Sequence, residues 1–593
     1  MRVPYTVALC QFRPAKGRLD ANLDQVERAF QLAAESAPAP AVLVFAEAML
    51  SGYFLEGGVR EHALPAGRVF DLLAERHARS GAPPLEVCIG FYEAYEGRIY
   101  NAAIWIALGG SDAGIRHVHR KVFLPTYGVF DEERFVEAGH DIRAFDARVG
   151  RVAMLVCEDA WHSITGTIAA VDGAQLIAVV SASPARGLLP DPQHPGLPTS
   201  LIRWERVVQD MAAEHGVYVA LSQLVGFEGG KGFPGGSLLI GPGGDVLVRG
   251  PLFEDAMISA TVDPDEVARV RADAPLLADL ELRLSHLIEA LAARRAERIR
   301  RDPVPVPQPI DPPSIAPHQI AVPSLQIDVA LTRRWLVEFL RDEVVRRRRF
   351  ARVIVGLSGG IDSAVVAALA VEALGADNVI AVRMPYRTSH PDSLAHAAAM
   401  AAALGIETRT VDISAAVDGY VSACGSVPSP TRLGNVMARL RMATLFDLGA
   451  ADDAIPLGTG NKSERLLGYF TWHADDAPPV NPIGDLFKTQ VRQLAEALGV
   501  PREIVDKPAS ADLVAGQTDE GDFGISYGRA DPILELLLRG YRDEAICAAG
   551  FTTDEIALVR RRLDGTHWKR RLPSVAMVSQ TAIGEYYLRP VDY

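Results

Sequence analysis

The sequence contains few cysteines, and none of them lies in a pattern that would form a structural site. The five cysteines are widely scattered and include no C-x-x-C pair: Cys10, Cys88, Cys157, Cys424 and Cys547. Disulfide frameworks and zinc sites need closely spaced cysteines, so the sequence predicts neither. This pattern is typical of a reducing compartment, and we expect a cytoplasmic protein.

Long apolar runs and an excess of positive charge are also missing. No uninterrupted apolar stretch approaches the roughly 18 residues of a membrane helix, and the N-terminus has no cationic lead followed by a long apolar region. The chain has 60 Lys and Arg against 74 Asp and Glu, a net charge of −14. An acidic chain binds nucleic acids and anionic membranes poorly. We therefore expect neither as a partner, although a local basic pocket could still bind phosphates.

Proline is concentrated in one segment of the 593-residue chain, over 302–324. Proline at this density prevents a helix or an interior strand, so the segment is predicted to be an extended linker. The sequence predicts a helix on either side of it, over 275–300 and 328–350. We accordingly predict one domain over 1–270, a connecting helix and Pro-rich linker over 271–327, and a second domain over 328–593.

Both halves alternate short β-branched runs with helical stretches, which is typical of an α/β fold. The elements predicted in the N-terminal half are strands at Val42–Phe45, Glu86–Gly90, Ala103–Ala107, Val152–Val156 and Leu176–Val180 and helices at Gln25–Ser36 and Leu201–His215. Those predicted in the C-terminal half are strands at Val353–Leu357 and Val379–Met384 and helices at Ala364–Leu374 and Leu394–Leu404. This β-α-β order implies a parallel sheet with helices on both faces.

Three polar residues stand at or near the ends of short strands in the N-terminal half: Glu47, Lys121 and Cys157. Taken singly, such a cysteine is most often a small buried apolar residue, and a lone glutamate or lysine is usually solvated. Taken together, they supply a thiol nucleophile, a carboxylate base to take its proton, and an ammonium to hold a developing oxyanion. A free thiol needs such help because it is mostly protonated at neutral pH.

The segments around these residues resemble the nitrilase (carbon–nitrogen hydrolase) superfamily, in that family's order. They are FAEAMLSGY at 45–53, RKVFLPTYGVFDE at 120–132 and LVCED at 155–159. The resemblance implies an α-β-β-α sandwich in which Glu47 is the general base, Lys121 the oxyanion stabiliser and Cys157 the nucleophile. It also implies that Glu132 is a second carboxylate and that Tyr127 contacts the substrate.

A glycine-rich turn follows the predicted strand Val353–Leu357 and leads into a helix: Ser358-Gly359-Gly360-Ile361-Asp362-Ser363. Glycines allow a tight turn, and the helix N-terminus attracts anions. An isolated turn of this kind is more often a plain helix cap. It is not a Walker A loop, because it lacks the lysine. Asp362 beside phosphates would repel them unless a divalent cation lay between, so the loop itself favours Mg²⁺.

This loop resembles the signature of ATP pyrophosphatases, and the following segments resemble the NAD synthetase family in its order. They are RMPYRTS at 383–389, GNVMARLRM at 434–442, GTGNKSE at 458–464, GYFT at 468–471, NPIGDLFKTQ at 481–490, SADL at 510–513 and GQTDE at 516–520. The matches span almost all of 328–593, and the whole chain resembles the glutamine-dependent members. The implied fold is a nitrilase-like sandwich followed by a Rossmann-like parallel-sheet domain.

The resemblance also implies roles for individual residues of the C-terminal half. ATP is expected to contact the loop Gly356, Leu357, Ser358, Gly359, Gly360, Ile361, Asp362 and Ser363, together with Arg383, Thr459, Lys488 and Ser510. Asp362 and Glu464 are expected to bind Mg²⁺. Arg439 and Lys569 are expected to contact deamido-NAD. At one place the chain departs from the family, because Pro479 stands where an aspartate that contacts the dinucleotide is expected; Asp475 or Asp476 could replace it.

The resemblance implies a two-step reaction in which ATP adenylates the carboxylate of deamido-NAD and ammonia, released from glutamine, then forms the amide. The expected partners are these small molecules, and we also expect a homo-oligomer. Two alternatives remain open at this stage. One is another ATP-pyrophosphatase amidotransferase, and the other is an amidase regulated by a nucleotide-sensing domain.

Overall fold

The computed structural model describes residues 3–55, 58–300, 321–425, 428–510, 518–571 and 576. Their described parts fall into two compact units: residues 3–187 and 198–300 form the first, and residues 188–197 and 321–571 belong to the second. Most of the predicted Pro-rich linker lies outside the described residues. The boundaries at 270 and 328 stay a prediction. Within the described ranges, no helix is long and apolar enough to cross a bilayer.

The first unit is built on two six-stranded sheets that pack face to face. Their strand orders are β14-β1-β2-β3-β4-β5 and β13-β12-β9-β8-β7-β6. The strands are β1 Tyr5–Gln11, β2 Val42–Phe45, β3 Leu85–Tyr95, β4 Arg98–Leu108, β5 Gly114–Arg120, β6 Ala144–Ala147, β7 Gly150–Val156, β8 Leu176–Ser181, β9 Tyr218–Gln223, β10 Val225–Glu228, β11 Lys231–Pro234, β12 Leu238–Ile240, β13 Val246–Arg249 and β14 Ala256–Val262. The short strands β10 and β11 form a separate hairpin.

Helices cover the outer faces of these sheets. They are α1 Leu19–Glu35, α2 Val59–His62, α3 Ala66–Ser80, α4 Ser163–Val171, α5 Thr199–His215, α6 Pro264–Asp273 and α7 Leu276–Arg300. The sequence of strand β2 is apolar throughout because both of its faces are buried. Val42 and Val44 point into the core between the sheets, whereas Leu43 and Phe45 pack under α1 and α3. A strand buried on both faces has no polar alternation. The predicted α-β-β-α sandwich is confirmed.

The second unit has a parallel sheet of four strands in the order β17-β16-β15-β18. The strands are β15 Arg352–Gly356, β16 Val379–Arg383, β17 Glu407–Thr410 and β18 Ala454–Leu457. The helices are α8 Val329–Leu340, α9 Ile361–Leu374, α10 Pro391–Leu404, α11 Ser414–Ala423, α12 Pro430–Ala451, α13 Lys462–Leu467, α14 Lys488–Ala497, α15 Arg502–Val505, α16 Asp519–Phe523, α17 Tyr527–Leu538, α18 Asp543–Ala548 and α19 Thr553–Gly565. The helix predicted over 328–350 is α-helical to Leu340 and continues as a π-helical stretch, Arg341–Arg347.

The glycine-rich turn lies between β15 and α9, where the order of the parallel strands reverses. Strand β15 pairs with β16 on one side and with β18 on the other. In doubly wound sheets, a ligand binds at the carboxyl ends of the strands at such a switch point. The Rossmann-like parallel-sheet fold predicted for this half is therefore confirmed, and its topology places the turn where a nucleotide would bind.

Asp531, on α17, connects the starts of two helices that carry predicted site residues. Its fully buried carboxylate accepts hydrogen bonds from Ser463 Oγ (2.6 Å) at the start of α13 and from Thr489 N (3.1 Å) and Oγ1 (2.9 Å) at the start of α14. The Ser463 Oγ in turn accepts a hydrogen bond from Lys488 N (2.9 Å). One buried carboxylate thus fixes the helix starts that carry Glu464 and Lys488.

Replacing Asp531 by alanine should destabilise the second unit by about 2–4 kcal/mol, because buried donors lose their acceptor. In calorimetric unfolding of the full Asp531→Ala chain, the transition of the second unit should occur several degrees below that of the wild type. The matched control is Arg539→Ala at the exposed C-terminal end of the same helix, which should change stability by less than about 0.5 kcal/mol. An Asp531→Ala chain that melts with the wild type would contradict this account.

Two candidate active sites

The first candidate site is a buried cluster in the first unit, in which one lysine holds two carboxylates. Lys121 Nζ donates to Glu47 Oε1 and to Glu132 Oε1, both at 2.9 Å, and the lysine and Glu47 are fully buried. Burial alone would lower the pKa of Lys121, but the charges of Glu132 and Glu47 outweigh it and raise that pKa well above its usual range. The ammonium is therefore charged, and one of its three N–H groups remains for a substrate.

Cys157 follows directly after β7, and its backbone is left-handed, with φ +46°. A non-glycine residue in this region is strained, and such strain clusters at functional sites. Two consecutive residues at the end of β8 bring the thiol and the base together: Ser181 Oγ donates to Cys157 Sγ (3.4 Å), and Ala182 N donates to Glu47 Oε2 (2.7 Å). Burial, with the charge of Glu47, raises the pKa of Cys157, so the resting group is a thiol that needs a base.

Asp159 fixes the turn that presents this thiol, a role that was not predicted from its place after Cys157. Its buried carboxylate accepts hydrogen bonds from Val122 N (2.9 Å), Phe123 N (3.0 Å) and Val156 N (3.1 Å), and His119 Nε2 lies 2.8 Å away. Burial alone would raise the pKa of Asp159, but these hydrogen bonds, that of His119 above all, hold it below its usual range. The turns after β5 and β7, which carry Lys121 and Cys157, are thereby tied to one anion.

A cavity of about 220 Å³ lies beside Glu132, and it is lined mainly by aromatic and apolar residues from strand β3 and from the segments that follow β2 and β5. Tyr53 lies in its wall and donates from its hydroxyl to Glu132 Oε1 (2.5 Å). Glu228 fixes this wall by accepting hydrogen bonds from Tyr53 N and Phe54 N. The predicted substrate contact Tyr127 is 57% exposed and donates to Glu158 Oε2 (2.8 Å). Its role stays a prediction.

The second candidate site is a cavity of about 300 Å³ at the carboxyl ends of β15 and β18 in the second unit. Most of the predicted nucleotide residues line it: Gly356, Leu357, Ser358, Gly360, Ile361, Asp362, Ser363, Thr459, Glu464, Lys488 and Ser510. Gly359 is essential to the shape of the loop, because its φ is +77° and a Cβ there would lie 2.1 Å from Ser393 O. The close approach of this backbone excludes any larger residue.

Lys488 holds two carboxylates at the centre of this cavity. Its Nζ donates to Asp362 Oδ2 (2.5 Å) and to Glu464 Oε1 (3.3 Å). Asn461 Nδ2 donates to Asp362 Oδ1 (3.1 Å), and Asn461 and Glu464 cap the start of α13 reciprocally. Burial raises the pKa of Glu464 to about 8, with the charge of Lys488 opposing the shift.

Besides Gly359, three predicted contacts are not among the residues that line this cavity. Arg383 ends β16, and its Nε has no hydrogen-bond partner within the described part of the chain. Arg439 donates to Trp472 O (3.3 Å), and Lys569 donates to Gly468 O (2.9 Å) and Phe470 O (2.8 Å). Arg439 and Lys569 therefore hold the loop 468–476 through its backbone. Their contacts with ligands stay predictions.

Asp475 and Asp476, the suggested replacements for the aspartate missing at Pro479, both line the cavity. Asp475 Oδ2 accepts a hydrogen bond from Thr471 N (2.7 Å), and Asp476 Oδ1 accepts one from Ala474 N (3.3 Å). Each carboxylate has a second oxygen that a ligand could use. Pro478, next to Pro479, also lies in the wall.

Sequence reasoning missed several residues that the fold brings to these sites. Lys507 lines the second cavity and donates to Ser393 Oγ (2.8 Å), close to the glycine loop. Asp519, buried in the same wall, accepts a hydrogen bond from Tyr527 OH (2.9 Å). Asn101 contacts both carboxylates of the first site. An asparagine inside an otherwise apolar strand was the signal for Asn101, because asparagine is depleted in strands.

Comparison with known proteins assigns each half of the chain to a protein family. Residues 6–272 match the carbon-nitrogen hydrolase family and residues 333–573 match the NAD synthase family. The glutamine-dependent NAD(+) synthetase of Thermotoga maritima is 30% identical over 603 residues, which cover 99% of this chain and 98% of that protein. The NH(3)-dependent NAD(+) synthetase of Trichlorobacter lovleyi is 46% identical over 260 residues, 44% of this chain and 94% of that protein.

A solved structure agrees with the fold of the whole chain. The glutamine-dependent NAD+ synthetase of Acinetobacter baumannii, in complex with ADP, covers 99% of this chain and 98% of its own, with 23% identity and a TM-score of 0.69. The fold and the two sites thus define an enzyme that joins a carbon-nitrogen hydrolase to an NAD synthase. The chain belongs to the glutamine-dependent NAD(+) synthetase family.

Proposed function

We propose that this chain amidates deamido-NAD to NAD at the expense of ATP, with nitrogen taken from glutamine. The observation that carries this function is that one chain holds both the Glu47–Lys121–Cys157 cluster and the glycine loop with Asp362 and Lys488. Membership of the glutamine-dependent family supports the pairing of the two chemistries. It also favours this reading over the two alternatives that the sequence left open.

In the first unit, Glu47 takes the proton of Cys157 as the sulfur attacks the side-chain amide carbon of glutamine. Lys121 then stabilises the negative charge that develops on the carbonyl oxygen. The C–N bond breaks, the nitrogen takes a proton and leaves as ammonia, and the glutamyl group stays on sulfur as a thioester. Water activated by Glu47 hydrolyses the thioester to glutamate. Glu132, held beside Glu47 by the same ammonium, keeps Lys121 oriented.

In the second unit, a carboxylate oxygen of deamido-NAD attacks the α-phosphorus of ATP, and pyrophosphate leaves. The carboxylate is a poor electrophile until AMP is attached to it; ammonia then displaces AMP and forms the amide. We propose that the glycine loop holds the phosphates through its backbone and the start of α9, while Lys488 neutralises their charge. The proposed ATP contacts also include Arg383, Thr459 and Ser510, and those to deamido-NAD include Arg439 and Lys569.

Asp362 and Glu464 fit a magnesium site, because Mg²⁺ is usually held by one or two carboxylates together with substrate phosphates. Both carboxylates line the cavity within reach of one ammonium, so their oxygens lie close together. The ion would supply positive charge against the phosphate oxygens. Among the described residues, no cluster of three or more metal-ligating side chains forms a self-sufficient metal centre, which agrees with a metal that arrives with ATP.

We further propose that the enzyme is a cytoplasmic homo-oligomer. Helices α4 and α7 support this proposal, since they expose large apolar side chains: Ile164, Ile168, Leu282, Leu287, Ile288 and Leu291. Apolar patches of this kind often mark contacts with other proteins.

Cys157→Ala should abolish glutamine-driven NAD formation and leave ammonium-driven formation largely intact. Removing a covalent nucleophile costs several orders of magnitude in rate, whereas ammonium bypasses the first unit. The measurement is NAD formation with each nitrogen donor, and the control is Cys424→Ala at an exposed cysteine. Retained glutamine activity in Cys157→Ala would refute the assignment of the nucleophile.

Asp362→Asn and Glu464→Gln should each lower pyrophosphate release and weaken its dependence on Mg²⁺, while glutamine hydrolysis continues. Each substitution removes a carboxylate that would bind the ion. Pyrophosphate release is titrated against Mg²⁺, with Asp485→Asn, a 97% exposed aspartate paired with Lys462, as the control. A variant with the wild-type rate and Mg²⁺ dependence would show that its residue is not a ligand.

Asp475→Ala or Asp476→Ala should raise the KM for deamido-NAD, because one of them takes the contact that Pro479 cannot make. Losing one hydrogen bond costs about 0.5–1.5 kcal/mol, or roughly a three- to tenfold rise in KM. The dinucleotide is varied at saturating ATP, and Asp554→Ala at the exposed start of α19 is the control. Unchanged KM values in both variants would mean that neither carboxylate replaces the missing aspartate.

A further inference from the structure

Asn101 lies on β4, beneath the two carboxylates of the first site, and is fully buried. Its side-chain Nδ2 donates to Glu47 Oε1 (2.8 Å) and to Glu132 Oε1 (3.1 Å). These are the two oxygens that Lys121 Nζ also holds. Its backbone oxygen accepts the N–H of Lys121 (2.9 Å). One asparagine therefore contacts the base, the second carboxylate and the lysine.

The neighbours of Asn101 decide which way its amide points. Turned over, the amide would place its oxygen against two carboxylate oxygens, which repel it. Oriented as it is, both N–H groups are used, and the buried Oδ1 has no partner within the described ranges. An unpaired buried acceptor is unfavourable. The contribution of Asn101 to this site therefore lies in the two hydrogen bonds that its N–H groups donate to the carboxylates. Asp or Leu at this position would lack both donors.

The charges of the cluster explain why a neutral donor is needed there. Glu47 and Glu132 share one ammonium, which leaves a buried excess of negative charge, and two carboxylates at close range repel each other. Burial raises the pKa of Glu132, with the charge of Glu47 adding to the shift. A second lysine would remove the excess but would also neutralise the base. An amide donor stabilises both carboxylates without adding charge.

We propose that Asn101 is a positioning residue for glutamine hydrolysis, which holds Glu47 beside Glu132 and keeps it aimed at the thiol. This inference rests on the proposed glutaminase function of the first unit. The other titratable groups that face the cluster are Lys121, Cys157, Tyr53, Tyr92 and Glu228. Losing the two N–H donors removes hydrogen bonds that favour the charged form of a carboxylate, so we expect the acidic limb of the activity to move to higher pH.

The test compares Asn101→Asp and Asn101→Leu with the wild type in the full chain, and measures glutamate formation from pH 5.5 to about 9. For Asn101→Asp we expect kcat at neutral pH to fall about 100-fold or more, as for a misplaced base, with KM for glutamine within about threefold. The acidic limb of kcat/KM should move to higher pH. Asn101→Leu should move the limb in the same direction with a smaller loss, since it adds no charge.

Asn22→Asp is the matched control, because Asn22 is an equally buried asparagine of the same unit that donates only to the backbone oxygens of Ala15 and Leu50. It should leave the pH profile unchanged. Ammonium-driven NAD formation by each variant, expected within about twofold of wild type, reports that the second unit is folded, and an unchanged circular dichroism spectrum and melting profile report the same for the first unit.

A wild-type pH profile and kcat in both Asn101 variants would overturn the proposal, as would the same limb shift in Asn22→Asp. If Asn101→Asp fails to fold, Asn101→Leu alone decides between these outcomes. Absence of Cys157-dependent glutaminase in the wild type would instead refute the proposed function, before Asn101 is tested.

Discussion

In each unit, a single lysine ammonium lies between two carboxylates that could not otherwise share a buried site. Lys121 holds Glu47 and Glu132, and Lys488 holds Asp362 and Glu464. Removing such a cation would leave uncompensated buried charge, which costs several kcal/mol. The elements around each site are arranged to support this triad: the ends of β2 and β5 in the first unit, and the starts of α9, α13 and α14 in the second.

The two triads have the same charges but differ in how far they are enclosed, and this difference suits their chemistry. The first is held by buried side chains and backbone, including Asn101 and Ala182 N, so its reacting groups are fixed before substrate binds. The second lines an open cavity and faces where phosphates and a divalent cation are proposed to bind. A preorganised site suits proton transfer and covalent attack, whereas a site completed by its ligands suits a reaction between two anionic substrates.

Much of the architecture was predictable because buried strands leave a plain pattern. Strand β2 was predicted without error, and β8 was predicted to within one residue, since both are apolar throughout. The cluster Glu47, Lys121 and Cys157 was found from strand ends and motif order. Asn101, Asp159 and Asp531 were missed as site or scaffold residues, because their partners are remote in sequence; Asn101 and Glu47 are 54 residues apart. Motifs placed Arg439 and Lys569 near a ligand, but their contacts in this structure are with the backbone of the loop 468–476.

The use of glutamine as nitrogen donor depends on the covalent step at Cys157. Its most direct test is mass spectrometry of the full chain after acid quenching during turnover with glutamine, ATP and deamido-NAD. The account predicts a glutamyl adduct on the peptide that contains Cys157, which disappears when ammonium replaces glutamine. An adduct on another cysteine, or steady glutamate production with no adduct at Cys157 under any quench, would contradict it.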